Sequence, residues 1–422
     1  MTQGWRSFLS RELDVSVVRR GLAGSFLLGV ALALNLGLLL LANEVLPLEN
    51  YGIFYLGISM VNVMTAPSMV ISLAFAHHSA QMRATGRHDE ADAAFHRYFR
   101  RTLAVGLPAA AIVLAALLAV SAMDGPGRMA IAAIVVGIAF LSYLADTFRA
   151  HLIGCSRQFA VGLYLLGWTG ARLTFGAAAL LAAGTALAGL AGILVATLLL
   201  LAVSWRLVAP PAGAAAVSEE FGNVLHGRFL AWLAFLNLLP YVDLGIAYLI
   251  LDKTAFGAYT AAATLPRAAL LLAGPIIQTA LPLALAGSGR GRQRVALRGW
   301  MATAFVTGLT GLSIAVTAHT AGDGRLLNGA DTVAVAALCL STLSASLLRY
   351  SATLDLANGR LTVTAGWAIG FFAVSAWCLI APPATPADLA IRFAIAGTVL
   401  VGCHLALGAM WFRHKKRVTA EE

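Results

Sequence analysis

Residues 256–286 read FGAYTAAATLPRAALLLAGPIIQTALPLALA, an apolar stretch with Arg267 near its middle. A helix needs about 20 apolar residues to cross ~30 Å of hydrocarbon, and this stretch is longer than that. A charge at membrane depth costs several kcal/mol unless it faces a watery cavity or a partner. The stretch therefore predicts a membrane-spanning helix, and Arg267 indicates a transport pathway.

The composition of the chain agrees with a membrane protein. Of the 422 residues, 60% are hydrophobic and only 11% are charged, and the mean hydropathy is +0.83. These values exclude a soluble globular protein. The net charge of +10 comes from basic residues in short loops, so a membrane surface explains it better than nucleic acid does. No nucleotide-binding or metalloprotease motif occurs in the sequence.

Apolar runs of membrane-spanning length recur along the whole chain. Their ranges are 21–42, 51–76, 102–122, 128–147, 159–182, 186–205, 229–251, 256–286, 299–318, 332–350, 361–381 and 387–411. No run alternates as the strands of a membrane barrel do. The sequence predicts an all-α polytopic membrane protein with about twelve transmembrane helices.

The basic residues predict the orientation of the chain. If both termini are cytoplasmic, the cytoplasmic segments hold 23 of the 29 Lys and Arg residues, and the opposite loops hold three. Positive charge is retained on the cytoplasmic side during insertion. We therefore expect a multi-pass membrane protein with both ends in the cytoplasm.

An internal repeat divides the chain into two halves. Tyr51-Gly52-Ile53-Phe54 opens the second run and Phe256-Gly257-Ala258-Tyr259 opens the eighth, 205 residues later. Parallel repeats belong to transporters that rock two bundles about a central site, so we expect two parallel six-helix lobes around a central cavity. The predicted parts are an interfacial amphipathic segment (1–20), an N-terminal lobe (21–208), a cytoplasmic linker (209–228), a C-terminal lobe (229–411) and a basic cytoplasmic tail (412–422).

The first hairpin and its counterpart resemble a known family. The stretch from Leu46 to Phe75, which begins LPLENYGIF, and the stretch from Val242 to Pro282 resemble the Wzx-like polysaccharide flippases. These flippases belong to the multidrug/oligosaccharidyl-lipid/polysaccharide exporter superfamily. The resemblance implies an alternating-access transporter that moves lipid-linked oligosaccharide from the cytoplasmic to the periplasmic leaflet. It also implies that cavity arginines bind the anionic pyrophosphate.

Three ionisable residues within the predicted spans are the first candidates for a site. Arg172, Asp243 and Arg267 lie roughly 12 to 16 Å from the outer ends of their spans at 1.5 Å per residue, so they could share one layer. The arginines are candidates to bind phosphate, and Asp243 is a candidate counter-ion or coupling-ion carrier. The alternative is a structural Asp243–Arg267 pair that locks the hairpin of spans seven and eight, because buried ions are paired whatever their role.

Polar residues in the spans extend the candidate site. Asn62, Asn237 and Tyr241 are candidates for contact with sugar, and Asn62 occupies the repeat position of Arg267. Hydrogen bonding between helices is the other interpretation of these residues.

The function predicted from these features is the flipping of a lipid-linked oligosaccharide for polysaccharide biosynthesis, without catalysis, cofactor or metal. The expected partners are that substrate, membrane lipids, and the polysaccharide polymerase and chain-length machinery, with no nucleic acid. One alternative is an ion-coupled antiporter for drugs or small cations in the same superfamily, which would prefer acidic cavity residues. Another is an enzyme, a polytopic glycan polymerase or glycosyltransferase, but the short outer loops lack the extramembrane domain or acidic cluster that it would need.

Overall fold

A computed structural model describes residues 15–121, 126–209, 235–236, 238–286, 289–320, 331–357 and 362–421. The regular elements within these ranges are all helical. Helices satisfy their own backbone hydrogen bonds, which is what an apolar chain requires in lipid. The predicted all-α fold class is confirmed.

Twelve α-helices follow one another in the described ranges, and each overlaps one predicted span. They are α1 (Val15–Val45), α2 (Leu48–Ala84), α3 (His88–Ser121), α4 (Pro126–Gly154), α5 (Gln158–Ala183), α6 (Ala186–Leu207), α7 (Val242–Ile250), α8 (Lys253–Ala286), α9 (Gly289–Thr320), α10 (Thr332–Ala357), α11 (Thr362–Ile380) and α12 (Pro386–Glu421). Of the helices in the described residues, eight are long and apolar enough by themselves to cross a membrane.

Several helices continue beyond the predicted spans. Residues 77–101 lie between the second and third predicted spans, but α2 runs to Ala84 and α3 begins at His88. Gly86 has a φ of +78°, a conformation that glycine adopts without steric cost, and Arg83 pairs with Asp92 across the turn. The segment is therefore a tight helical hairpin rather than an extended loop.

The chain divides into two compact units. Unit 1 comprises Met1–Val45 and Gly57–Leu230, and unit 2 comprises Leu46–Leu56 and Ala231–Glu422. In unit 1, α5 packs on α1 and α6, and α4 packs on α3 and α6. In unit 2, α10 packs on α8, α9 and α12. The first residues of α2 thus belong to unit 2, although the remainder of that helix belongs to unit 1.

The two copies of the sequence repeat pack against each other within unit 2. A Cβ atom on Gly52 would lie 2.9 Å from Cδ1 of Phe256, and one on Gly257 would collide with the carbonyl oxygen of Leu48. The Thr254 hydroxyl donates a hydrogen bond to Glu49 at 3.3 Å. Small residues let membrane helices approach closely. The glycines of the repeat are therefore required where α2 and α8 cross.

Replacing Gly257 with leucine should force these helices apart. Overpacking of this kind costs about 1–3 kcal/mol, so we expect a clearly lower melting temperature for the purified protein in detergent. Gly245→Leu is the matched control, because no atom lies within 4 Å of the position that its Cβ would occupy. Equal melting temperatures for the two variants would show that the crossing is not tight.

Candidate functional site

A break in the seventh span places Asp243 at the start of a helix. Residues Leu239–Tyr241 form a 3-10 turn that contains Pro240, and α7 begins directly after it. Proline has no backbone N–H to continue a helix. Asp243 lies in the first turn of α7, where the helix dipole favours a negative charge.

Asp243 and Arg267 form a buried ion pair in unit 2. Nη2 of Arg267 donates to Oδ1 of Asp243 at 2.6 Å and to Oδ2 at 2.7 Å. The Tyr259 hydroxyl donates to Oδ2 at 2.6 Å. Asp243 is 6% exposed and Arg267 is 8% exposed. The pair considered in the sequence analysis therefore exists, and Tyr259 is a third member that the sequence analysis missed.

Tyr259 and Arg267 belong to one face of α8, because residues four and eight positions apart lie above one another on a helix. The Tyr51 hydroxyl on α2 is hydrogen-bonded to Thr264 of α8. Tyr55 lies one turn further along α2. These contacts place the aromatic face of α2 against the face of α8 that carries Arg267.

The Arg267 guanidinium has aromatic neighbours and one unused nitrogen. Its Cζ atom lies 5.9 Å from the ring centre of Tyr55 and 5.6 Å from that of Tyr241, within the range of cation–π attraction. Nη1 is buried and has no hydrogen-bond partner among the described residues. The arginine therefore keeps a donor for a further ligand.

A small cavity adjoins the ion pair within unit 2. Its volume is about 20 Å³, which is room for about one water molecule. The lining residues are Pro240, Asp243, Arg267, Leu270, Leu338, Ser341, Thr342, Ala345 and Phe371. Because the lining combines a cation, a carboxylate and hydroxyl groups, the cavity suits a small polar group.

Arg349 is a second basic residue near the Asp243–Arg267 pair, at the end of the predicted span 332–350. It lies on α10, which continues to Ala357. At 1.5 Å per residue this is ~12 Å inside the end of the helix. Arg349 interacts electrostatically with Tyr241. The apolar residues around it gave no signal that the helix continues past the predicted end of the span.

Arg172 on α5 is a half-buried cation of unit 1. Its Cζ atom lies 5.5 Å from the ring centre of Trp168, one turn earlier on the same helix. Nε and Nη2 are enclosed, and within the described ranges neither has a hydrogen-bond partner. Such groups cost free energy unless a partner binds them.

Asp146 on α4 is an acidic residue of unit 1 that lies within the predicted span 128–147 but was not among the candidates. It accepts a hydrogen bond from the Ser68 hydroxyl, and Nη2 of Arg149 lies 3.1 Å from its Oδ1. Arg149 lies beyond the predicted span 128–147, but α4 continues to Gly154. The Asp-x-x-Arg spacing, which places both side chains on one helix face, was the available signal.

The remaining candidates are not all brought together. Tyr241 contacts Arg267, as described above, whereas Asn62 is exposed on the part of α2 that belongs to unit 1. Asn237 lies outside the described residues. Arg172 belongs to unit 1 and the Asp243–Arg267 pair to unit 2, so the predicted common layer stays a prediction. Among the described residues, no group of three or more His, Cys, Asp or Glu side chains is placed to hold a metal ion.

Comparison with known proteins gives matches among solved structures only. No protein-family model matches the sequence, and no curated protein matches it. An inward-facing multidrug resistance MATE family transporter of the MOP superfamily aligns with a TM-score of 0.70 at 13% identity, over 92% of this chain and 95% of its own. An outward-facing structure of such a transporter aligns with a TM-score of 0.66 at 12% identity, over 95% and 96%.

A third similar structure is a MOP superfamily transporter from Pyrococcus furiosus. It aligns with a TM-score of 0.63 at 12% identity, over 94% of this chain and 95% of its own. The polarity of the binding pocket in that protein is described as reversed, and a different function is suggested for that protein on this ground. At these identities the likeness concerns the fold. The chain has the two-lobed, all-helical fold of the MATE transporters of the MOP superfamily.

Proposed function

We propose that this chain is a transporter that flips a polyprenyl-pyrophosphate-linked oligosaccharide from the cytoplasmic to the periplasmic leaflet of a bacterial inner membrane, by alternating access. Both termini are cytoplasmic in this proposal, and no reaction is catalysed. The similar structures include inward-facing and outward-facing transporters, which supports alternating access.

The observation that carries the proposal is the pair of arginines with buried, unused donors. They are Arg172 in unit 1, whose Nε and Nη2 have no partner among the described residues, and Arg267 in unit 2, whose Nη1 has none. A guanidinium binds phosphate oxygens through two parallel hydrogen bonds. Phosphate oxygens are acceptors of the kind that these unused nitrogens would bind.

A drug or cation antiporter of the same fold is the second candidate. Its support is that two of the similar structures are called multidrug resistance transporters. A cationic substrate needs carboxylates that are free to bind it. Asp243 is already bound by Arg267, and Asp146 by Arg149, so neither carboxylate is free to bind a cation.

Deletion of the gene in its own bacterium tests the proposal. We expect less polysaccharide at the cell surface, and lipid-linked oligosaccharide accumulating in the membrane with its sugar protected from enzymes added to intact cells. The control is the same strain with the gene restored. Normal surface polymer together with new sensitivity to lipophilic cations would instead support the antiporter.

A further inference from the structure

We propose that the place where the apolar part of α3 begins is a binding site for an anionic phospholipid of the membrane. The headgroup binds Arg100 and Arg101 of α3 beside Trp205 of α6, three residues called the basic rim below. The acyl chains lie along the exposed apolar sides of α3. The basic rim belongs to unit 1, and its role does not depend on which substrate the chain transports.

The apolar part of α3 is the least buried of the eight candidate membrane spans in the described residues. None of the residues in its most apolar 18-residue stretch is buried, whereas 39% of the corresponding stretches of α4 and of α6 is buried. Leu107 is 57% exposed and Ile112 is 70% exposed. Lipid tails are as apolar as leucine, so acyl chains are the natural cover for this surface in a membrane.

Each arginine of the basic rim continues an exposed apolar side of α3. Arg100 precedes Leu103 and Leu107 by three and seven residues, and Arg101 precedes Val105 by four. These spacings keep side chains on one side of a helix. Both arginines are exposed. The surface of α3 therefore changes from guanidinium groups to aliphatic side chains within about one helical turn, as a phospholipid changes from headgroup to acyl chain.

Aromatic contacts bring the end of α6 to the same place. The ring centre of Trp205 lies 4.9 Å from that of Phe99 and 6.1 Å from that of His96. Arg100 follows Phe99 directly and lies one turn after His96, so it is next to the indole. Trp205 is itself 46% exposed, and tryptophan is enriched where a membrane meets water. Its position indicates that the basic rim lies at headgroup level.

The charges of the basic rim are not compensated by the protein. Neither Arg100 nor Arg101 forms an ion pair with any residue that the structure describes, although other arginines at this end of unit 1 do. Those pairs are Arg83–Asp92, Arg87–Glu90 and Arg149–Asp146. Asp92 lies eight residues before Arg100 on α3, which is ~12 Å along the helix. The two guanidinium groups therefore remain available for a phosphate.

An anionic phospholipid matches both parts of this surface. Its phosphate accepts hydrogen bonds from the arginines, and its chains cover the apolar sides of α3. A zwitterionic lipid also carries an ammonium group, which the arginines repel. A second copy of this chain fits less well, because a symmetric dimer presents the same patch on both subunits and would bring the arginines of the two copies together.

The test is native mass spectrometry of the purified, delipidated full-length protein, which counts bound lipids and gives a Kd for each. The probes are dioleoylphosphatidylglycerol, dioleoylphosphatidylcholine with the same chains, and glycerol 3-phosphate, which has no chains. The variants are Arg100→Gln, the double variant Arg100→Gln, Arg101→Gln, and Arg87→Gln. The last is the matched control, because it removes one exposed charge from the turn of the same helical hairpin.

We expect the wild type to bind phosphatidylglycerol more tightly than phosphatidylcholine. Arg100→Gln should weaken the binding of phosphatidylglycerol about fivefold and the double variant about twenty-fivefold, from the usual contribution of a basic residue to binding of anionic lipid. Arg87→Gln should leave this Kd unchanged. All variants should keep the melting temperature of the wild type, because the substituted side chains are exposed.

Four results would overturn the proposal. Equal Kd values for the two lipids would show that the headgroup is not recognised. Equal weakening by Arg87→Gln and Arg100→Gln would mean that attraction is spread over the whole positive surface. Glycerol 3-phosphate bound as tightly as the lipid would indicate a site for free phosphate. A lipid-free dimer that Leu107→Gln turns into a monomer would assign this side of α3 to a second copy of the chain. The proposed transport function stands in each case, because none of these measurements involves its substrate.

Discussion

Replacing Arg267 with alanine should lower the transport of lipid-linked oligosaccharide by at least about thirtyfold, because losing a buried charged partner costs 2 kcal/mol or more. Arg267→Lys should restore only part of the activity, since a point charge lacks the planar fork that binds phosphate. Transport is measured as appearance of polymer at the cell surface, with the amount of protein in the membrane determined alongside.

The controls for this prediction test whether the effect of Arg267→Ala comes from leaving Asp243 without its partner. Arg267→Ala leaves Asp243 unpaired, which can itself destabilise the protein by about 3–5 kcal/mol. The double variant Asp243→Asn, Arg267→Gln removes both charges together and should fold but remain inactive. If it transports normally, or if exchanging the two residues restores full activity, the pair is structural and Arg267 does not bind substrate.

Replacing Arg172 with leucine should reduce transport at least about tenfold while leaving the protein equally stable or more stable. The expected gain in stability is about 1–3 kcal/mol, because buried donors without partners are removed. A lower transport rate in a more stable protein is the signature of a binding residue. The measurements are surface polymer in cells and the melting temperature of the purified protein.

Arg206→Leu is the matched control for this change, because Arg206 is an exposed arginine near the end of α6 in the same unit. It should alter neither transport nor stability. A lower melting temperature for Arg172→Leu would mean that Arg172 supports the fold. Normal transport with Arg172→Leu would exclude it from substrate binding.

The sequence allowed the helices to be predicted because the lipid environment leaves little choice. An apolar run must be helical there, and each of the twelve runs overlaps a helix. The aromatic-Gly motif of the repeat was also informative. Gly52 and Gly257 lie where α2 and α8 cross, and a side chain on either one would collide with the other helix.

Helix ends were harder to predict, since hydropathy reports where lipid ends and not where the helix ends. The hairpin of α2 and α3 is polar, and Arg149 and Arg349 lie inside helices that continue past the apolar runs. Asp146 was missed for the same reason, because it lies close to the end of its run.

The candidate site could be predicted in its charges but not in its contacts. Arg267 and Asp243 were conspicuous because lipid-length segments hold few ions. Tyr259 was not conspicuous in the sequence, because a tyrosine within a helix is usually an ordinary packing residue. Its role depends on Pro240, which interrupts the seventh span so that α7 begins just before Asp243.

The most direct test of the proposed function is a reconstituted flipping assay. The purified protein is placed in liposomes that contain a labelled polyprenyl-pyrophosphate oligosaccharide, and a glycosidase that cannot cross the membrane is added outside. The account predicts that the enzyme reaches the whole pool of labelled lipid with the wild type, and only the outer-leaflet pool with the double variant Asp243→Asn, Arg267→Gln. Cleavage confined to the outer leaflet with active wild-type protein, accompanied by transport of tetraphenylphosphonium, would contradict it.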